Sequence, residues 1–249
     1  MVPGSGAPLH EAGLAAERLA KVKQWQQHVV DSELLPNIHV IVWRNGHFCY
    51  DEGVGFKDED RTPVGNDTIF RWHSMTKPVT SVALMTLFEE GAFLLTDPLH
   101  KYLGGKWRKE NMRVYKSGDH AAGYETVPCE RSITIKHILT HTSGLSYGFD
   151  AKGSSNKVDG IYHKEGLFGP KETPLDVFVD RLAGMPLQFQ PGSAWSYSFS
   201  TDVCGRLIEV LSGMTLDRFL EERVFAPLGM VDTGFWVPEE KAGRLSSVW

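Results

Sequence analysis

Cysteine is scarce in this chain of 249 residues. Cys49, Cys129 and Cys204 are odd in number, far apart and without a CxxC pair. That argues against a disulfide framework or a zinc knuckle and favours a reducing compartment. Long apolar runs are missing too. No stretch of 18 apolar residues occurs, so no helical membrane span is expected. The opening MVPGSGAPLHEAG has no charged segment leading into an apolar one, so no secretory signal is read and a cytoplasmic location is expected. Positive charge is short: 26 Lys and Arg stand against 31 Asp and Glu, a net charge of −5. A general nucleic-acid or anionic-membrane surface does not fit that balance. Several motifs are absent as well. Without GxSxG, GxGxxG or a Walker A loop, neither an α/β-hydrolase nor a nucleotide site is indicated. His137 and His141 have the spacing of a helical zinc pair, but HILTH lacks the Glu of HExxH and no third ligand is evident. A structural role is expected for them, and no metal or cofactor.

Glycine, at 25 residues, and tryptophan, at 7, are plentiful, and apolar residues make up 41% of the chain. A core is affordable at this length without staples. The segment from Glu11 to about Ser32 has helical periodicity, with Leu14, Leu19, Val22, Trp25 and Val29 on one stripe. Two β-rich runs, 38–43 and 47–56, flank Asn45-Gly46, the residue pair of a type I′ hairpin turn. Residues 78–90 are apolar on nearly every side and predict a buried helix. Residues 104–132 and 146–172 read as loop-rich excursions. Helices are expected near 133–145, 174–184, 201–212 and 215–223, while strands are few.

The tetrapeptide Ser74-Met75-Thr76-Lys77 leads directly into the apolar helix. Residues three apart share a helix face, and a lysine beside a serine hydroxyl can activate it where burial leaves the amine neutral. Pro78 disfavours a helical Lys77, so the helix is expected to begin at Pro78 with Ser74 in the turn before it. Tyr197, in Trp195-Ser196-Tyr197-Ser198 ahead of another helix, is a proton shuttle only if a cation stabilises its phenolate. Lys77 is the candidate cation. Without Ser74, Tyr197 reads as an ordinary core tyrosine.

FRWHSMTKPVTSVALMTLFEEGAFLLTDPLHKYL (70–103), ITIKHILTHTSGL (133–145) and FQPGSAWSYSFSTDVCGRLIEVLSGMTLDRFLEERVFAPLGM (189–230) resemble the serine β-lactamase-related superfamily. The likeness is greatest to class C β-lactamases and family VIII carboxylesterases, and it runs in order from about residue 15 to 240. It implies an α+β, β-lactamase/transpeptidase-like fold, with an antiparallel sheet flanked by helices and joined to a mostly helical region. Residues 1–249 are then a single domain, with 1–95 carrying the hairpin and nucleophile helix and 96–249 mostly helix and loop. By the same resemblance Ser74 is the nucleophile, Lys77 its partner and Tyr197 the tyrosine of the second motif.

Two departures bear on activity. The family's Tyr-x-Asn is Tyr197-Ser198-Phe199 here. Phe199 has no amide to offer, which suits a carboxylic ester better than a β-lactam. The third motif, Lys-Thr-Gly or a His-x-Gly or Trp-Gly-Gly variant, is not found after Gly205. Lys116-Ser117-Gly118 and Ser154-Ser155-Asn156 imitate family motifs in the wrong order, and structural roles are expected for both. The expected activity is hydrolysis of a small-molecule ester or amide through an acyl-enzyme on Ser74, impaired by missing C-terminal strands that would complete the sheet. The alternatives are a β-lactamase or D-alanyl-D-alanine peptidase, and a non-catalytic truncated binding module.

Overall fold

The computed structural model describes residue 9, residues 11–170 and residues 173–248, which form two compact units. The first comprises the chain up to Trp72 together with the segment from Gly234 onward. Its helix α1 (Ala16–Asp31) is followed by the antiparallel pair β1 (Asn37–Arg44) and β2 (His47–Gly55). The hairpin turns at Asn45 and Gly46, both at positive φ (50° and 85°), as a type I′ turn requires. The predicted apolar stripe of α1 is partly overturned. Trp25 is exposed and Gln26 is fully buried. The Gln26 amide donates to Ile38 O and Glu52 O, at 3.2 and 2.9 Å, and accepts the Tyr50 hydroxyl. A polar side chain thus ties α1 to the hairpin, because its hydrogen-bonding groups are satisfied there.

The second unit, His73–Thr233, holds α2 (Thr76–Glu89), α3 (His100–Leu103), α4 (Ile135–Leu139), α5 (Lys157–Lys164), α6 (Leu175–Leu182), α7 (Ser200–Ser212) and α8 (Leu216–Leu220). It also holds a second antiparallel pair, β3 (Arg113–Asp119) and β4 (Gly123–Pro128). Helix α7 is its centre. Val203, Cys204, Leu207 and Ile208 are fully buried, and α2, α4, α6 and α8 pack around it. Each such buried aliphatic side chain contributes roughly 1.5–3 kcal/mol. A Cβ on Gly205 would lie 2.9 Å from Leu216 Cδ2, so the absent side chain lets α8 approach.

Four expectations are corrected here. Residues 104–132 contain β3 and β4, and α5 lies inside the expected 146–172 loop. Helix α2 is not buried all round: Ala83, Leu84 and Leu87 face the core, while Val82 is 57% exposed on the side that α7 and α8 leave uncovered. Helix α2 also starts before Pro78. Proline stands third in the helix, where its missing N–H would have had no intrahelical acceptor. The tryptophans are mostly surface residues: among those described, only Trp107 is in the core. No helix among the described residues is long and apolar enough to cross a membrane.

Candidate active site

Ser74 sits where expected, in the 3-10 turn His73–Met75 that enters α2. His73, at φ 45°, takes a left-handed conformation that is uncommon outside glycine. It turns the chain into the helix and leaves Ser74 exposed. Lys77, one turn on, is half-buried.

Tyr197 comes to Ser74 across 123 positions of sequence. The two hydroxyl oxygens are 2.8 Å apart. Lys77 Nζ lies 4.6 Å from the Tyr197 ring centre and 5.2 Å from that of Tyr147, two π faces that attract a positive charge. Burial would push the Tyr197 phenol upward. The nearby Lys77 ammonium and the Ser74 hydrogen bond outweigh it, and the phenol ends below its ordinary value. All three sequence-predicted site residues therefore meet within the second unit.

Tyr197 is held by a strap. Residues 141–146 run beside 188–199, joined through Gln188 N–H to Gly144 O (2.6 Å), Gly192 N–H to Thr142 O (2.7 Å), Ser196 N–H to His141 O (3.0 Å) and Phe199 N–H to Ser146 O (3.1 Å). Gly144 has φ +88°, and a Cβ there would come within 2.4 Å of Phe189 O. His141 stacks on Tyr197, ring centres 5.1 Å apart and planes 21° from parallel. Burial, then the Lys77 charge, holds its imidazole below its ordinary pKa. His137 instead closes a capping box at α4, its Nδ1 accepting the Thr134 N–H. The two histidines thus serve as a helix cap and an aromatic plate. No cluster of three or more His, Cys, Asp or Glu able to hold a metal occurs among the described residues.

Sequence reasoning missed three neighbours. Tyr147 and Phe149 stand beside Tyr197, with Tyr147 centred 5.1 Å and Phe149 6.2 Å from its ring. Their loop is clamped by the buried Asp159 carboxylate, which accepts the Ser146 hydroxyl and the amides of Gly148 (2.9 Å) and Asp150 (3.1 Å). Asp202, in the first turn of α7, is raised by burial to about 6 and interacts with the charge on Lys77. The run Ser146-Tyr147-Gly148-Phe149-Asp150, one residue after the tight Ser143-Gly144 turn, was the available signal for the loop. Nothing local marks Asp202.

Phe199 is buried and stacks on Tyr147 at 4.6 Å, beneath the site rather than in it. The two motif look-alikes have local structural partners. Lys116 and Ser117 both bond Glu125 across the β3–β4 pair. Ser154 and Ser155 donate to Asp150, and Asn156 caps α5.

The Beta-lactamase family profile matches residues 22–249. The chain belongs to the Beta-lactamase family. Esterase EstB of Burkholderia gladioli is 34% identical over 196 residues, covering 78% of this chain and 46% of its own length. An uncharacterized protein of Mycobacterium tuberculosis is 36% identical over 225 residues, covering 90% of this chain and 53% of its own. Among solved structures, EstCE1, a hydrolase with promiscuous acyltransferase activity, superposes with a TM-score of 0.76 at 27% identity, over 93% of this chain and 56% of its own. The fold is thus the α+β, β-lactamase-like one. The chain spans about half the length of the curated relatives it matches.

Proposed function

We propose that this Beta-lactamase family chain is a serine hydrolase acting on small carboxylic esters through an acyl-enzyme on Ser74. The observation that carries the reading is the 2.8 Å contact between Ser74 Oγ and a Tyr197 phenol held below its ordinary pKa beside Lys77. The Tyr197 phenolate takes the Ser74 proton as Oγ bonds to the ester carbonyl carbon. The amide of Ser74, in the 3-10 turn that leads into the N-terminus of α2, suits the developing oxyanion. As the carbonyl re-forms, the carbon–alkoxide bond breaks and Tyr197 returns its proton to the leaving oxygen. Water then attacks the acyl-enzyme, loses a proton to Tyr197, and releases the acid as Ser74 regains its hydrogen. Throughout, the Lys77 ammonium stabilises the phenolate.

A fluorophosphonate probe tests this. Ser74 in the native chain becomes labelled, p-nitrophenyl butyrate is hydrolysed, and Ser74→Ala abolishes both. A well-folded sample in which Ser74 stays unlabelled overturns the reading in favour of a non-catalytic module. A second outcome of the same acyl-enzyme is transfer to an alcohol in place of water. The promiscuous acyltransferase activity of EstCE1 favours it, and ester exchange in added alcohol would reveal it. The Phe199 position beneath the site offers no amide-binding group, so nitrocefin turnover is expected to be negligible.

A further inference from the structure

Behind Tyr197 runs a line of polar side chains that no step above uses. His141 Nδ1 is 3.0 Å from Ser198 Oγ, Ser198 Oγ is 2.8 Å from Ser200 Oγ, and Ser200 Oγ is 2.9 Å from Ser143 Oγ. The line ends at Ser143, whose oxygen accepts the Leu145 N–H at 3.1 Å. The Ser200 N–H donates to Ser198 Oγ at 3.4 Å. Ser143, Ser198 and Ser200 are fully enclosed, so bulk water does not reach them to take a spare proton.

Proton counting gives the line a direction. Three hydrogen bonds join the four side chains, and each serine brings one hydroxyl proton. All three bonds are filled if Ser143 donates to Ser200, Ser200 to Ser198, and Ser198 to His141 Nδ1. A proton on Nδ1 would set four donors against three bonds and strand one hydroxyl proton in a dry interior, which is costly. The amides of Leu145 and Ser200 are donors as well and offer no way out.

We propose that the Ser143–Ser200–Ser198 hydroxyl line fixes His141 as the neutral tautomer with its proton on Nε2, and that His141 so held is a positioning residue for Tyr197. Its ring lies flat against the Tyr197 ring, and the Trp195 ring stands edge-on at 6.2 Å. The titratable groups against it are Lys77 from α2 and Tyr197 from the facing segment. A neutral plate leaves Lys77 as the cation that stabilises the phenolate. It also keeps the phenol from swinging away from Ser74. The positioning role rests on the mechanism above, whereas the tautomer does not.

The test is nuclear magnetic resonance on the full chain with ¹⁵N-histidine and ¹³Cζ-tyrosine, for the native protein and Ser198→Ala. Native His141 is expected to show Nδ1 without and Nε2 with a proton from pH 8 down to 6. Ser198→Ala is expected to give a mixture of tautomers and to raise the Tyr197 titration midpoint by about one unit, as its ring drifts from Lys77. If Ser198→Ala does not fold, Ser198→Cys keeps the volume with a weaker donor and gives the same reading. A protonated Nδ1 in the native chain overturns the tautomer. An unmoved Tyr197 midpoint in a folded variant overturns the positioning role. An unprotonated Nδ1 in a chain whose Ser74 resists the fluorophosphonate upholds the tautomer and sinks the mechanism instead.

Discussion

The two sides of the candidate site are built differently. Ser74 stands exposed on one short turn, and its side chain touches Tyr197. Tyr197 stands in a strap bonded along 188–199, backed by a buried hydroxyl line and flanked by a loop on a buried carboxylate. A nucleophile must approach substrates of varied shape, so a turn at a helix entrance is enough support. A proton acceptor must hold one distance and one pKa, which takes a preorganised frame. Changes on the nucleophile side should therefore cost chemistry alone, and changes behind Tyr197 should cost stability as well.

The sharpest way to break that contrast is Tyr197→Phe. It removes the phenolic oxygen and keeps the ring that packs on His141 and Tyr147. If Tyr197 is the general base of the proposed mechanism, its loss is expected to lower kcat by about 10²–10⁴, with the thermal midpoint nearly unchanged. A loss below tenfold in steady-state kinetics would assign proton transfer elsewhere. Asp159→Ala should do the reverse. It leaves the Ser146 hydroxyl and the amides of Gly148 and Asp150 without their acceptor. The expected destabilisation in urea unfolding is about 2 kcal/mol, with a smaller fall in kcat as Tyr147 and Phe149 loosen. Unchanged stability would show that the frame does not depend on this clamp.

How far the sequence was legible follows the same divide. The β1–β2 turn was readable because Asn45 and Gly46 carry their backbone preference locally. Ser74 was readable because Pro78 and the apolar run after it mark a helix entrance. The β3–β4 pair was not, since Lys116, Ser117 and Gly118 look like loop residues and only Val114 of β3 is buried. Its turn rests on Asp119 accepting the amides of Ala121 and Ala122, and Gly118 is obligatory because a Cβ would meet Gly123 O at 2.3 Å. The serine line was illegible for another reason. Ser143, Ser198 and Ser200 are ordinary residues until tertiary packing encloses them together, and residue type alone does not announce a buried hydroxyl.

The smallest effect belongs to Asp202, and its sign is the informative part. Burial raises its carboxyl to about 6 in the folded chain, against an ordinary value of 3.8. Between those values the folded state holds more protons than the unfolded one, so stability falls as pH rises from about 4 to 6 and stays lowered above that. Roughly two pH units correspond to about 3 kcal/mol, and partial exposure cuts this to about 1–2 kcal/mol. Asp202→Asn should therefore be at least as stable as the native chain at pH 8, and lose that advantage at pH 4. Urea unfolding at the two values checks it, and a variant less stable at pH 8 would mean the carboxylate is a stabilising partner of Lys77. The same charge raises the Tyr197 phenol, so removing it should move the acidic limb of kcat/KM to lower pH. That shift would tie Asp202, on the framed side of the site, to the proton transfer proposed for Ser74 on the open side.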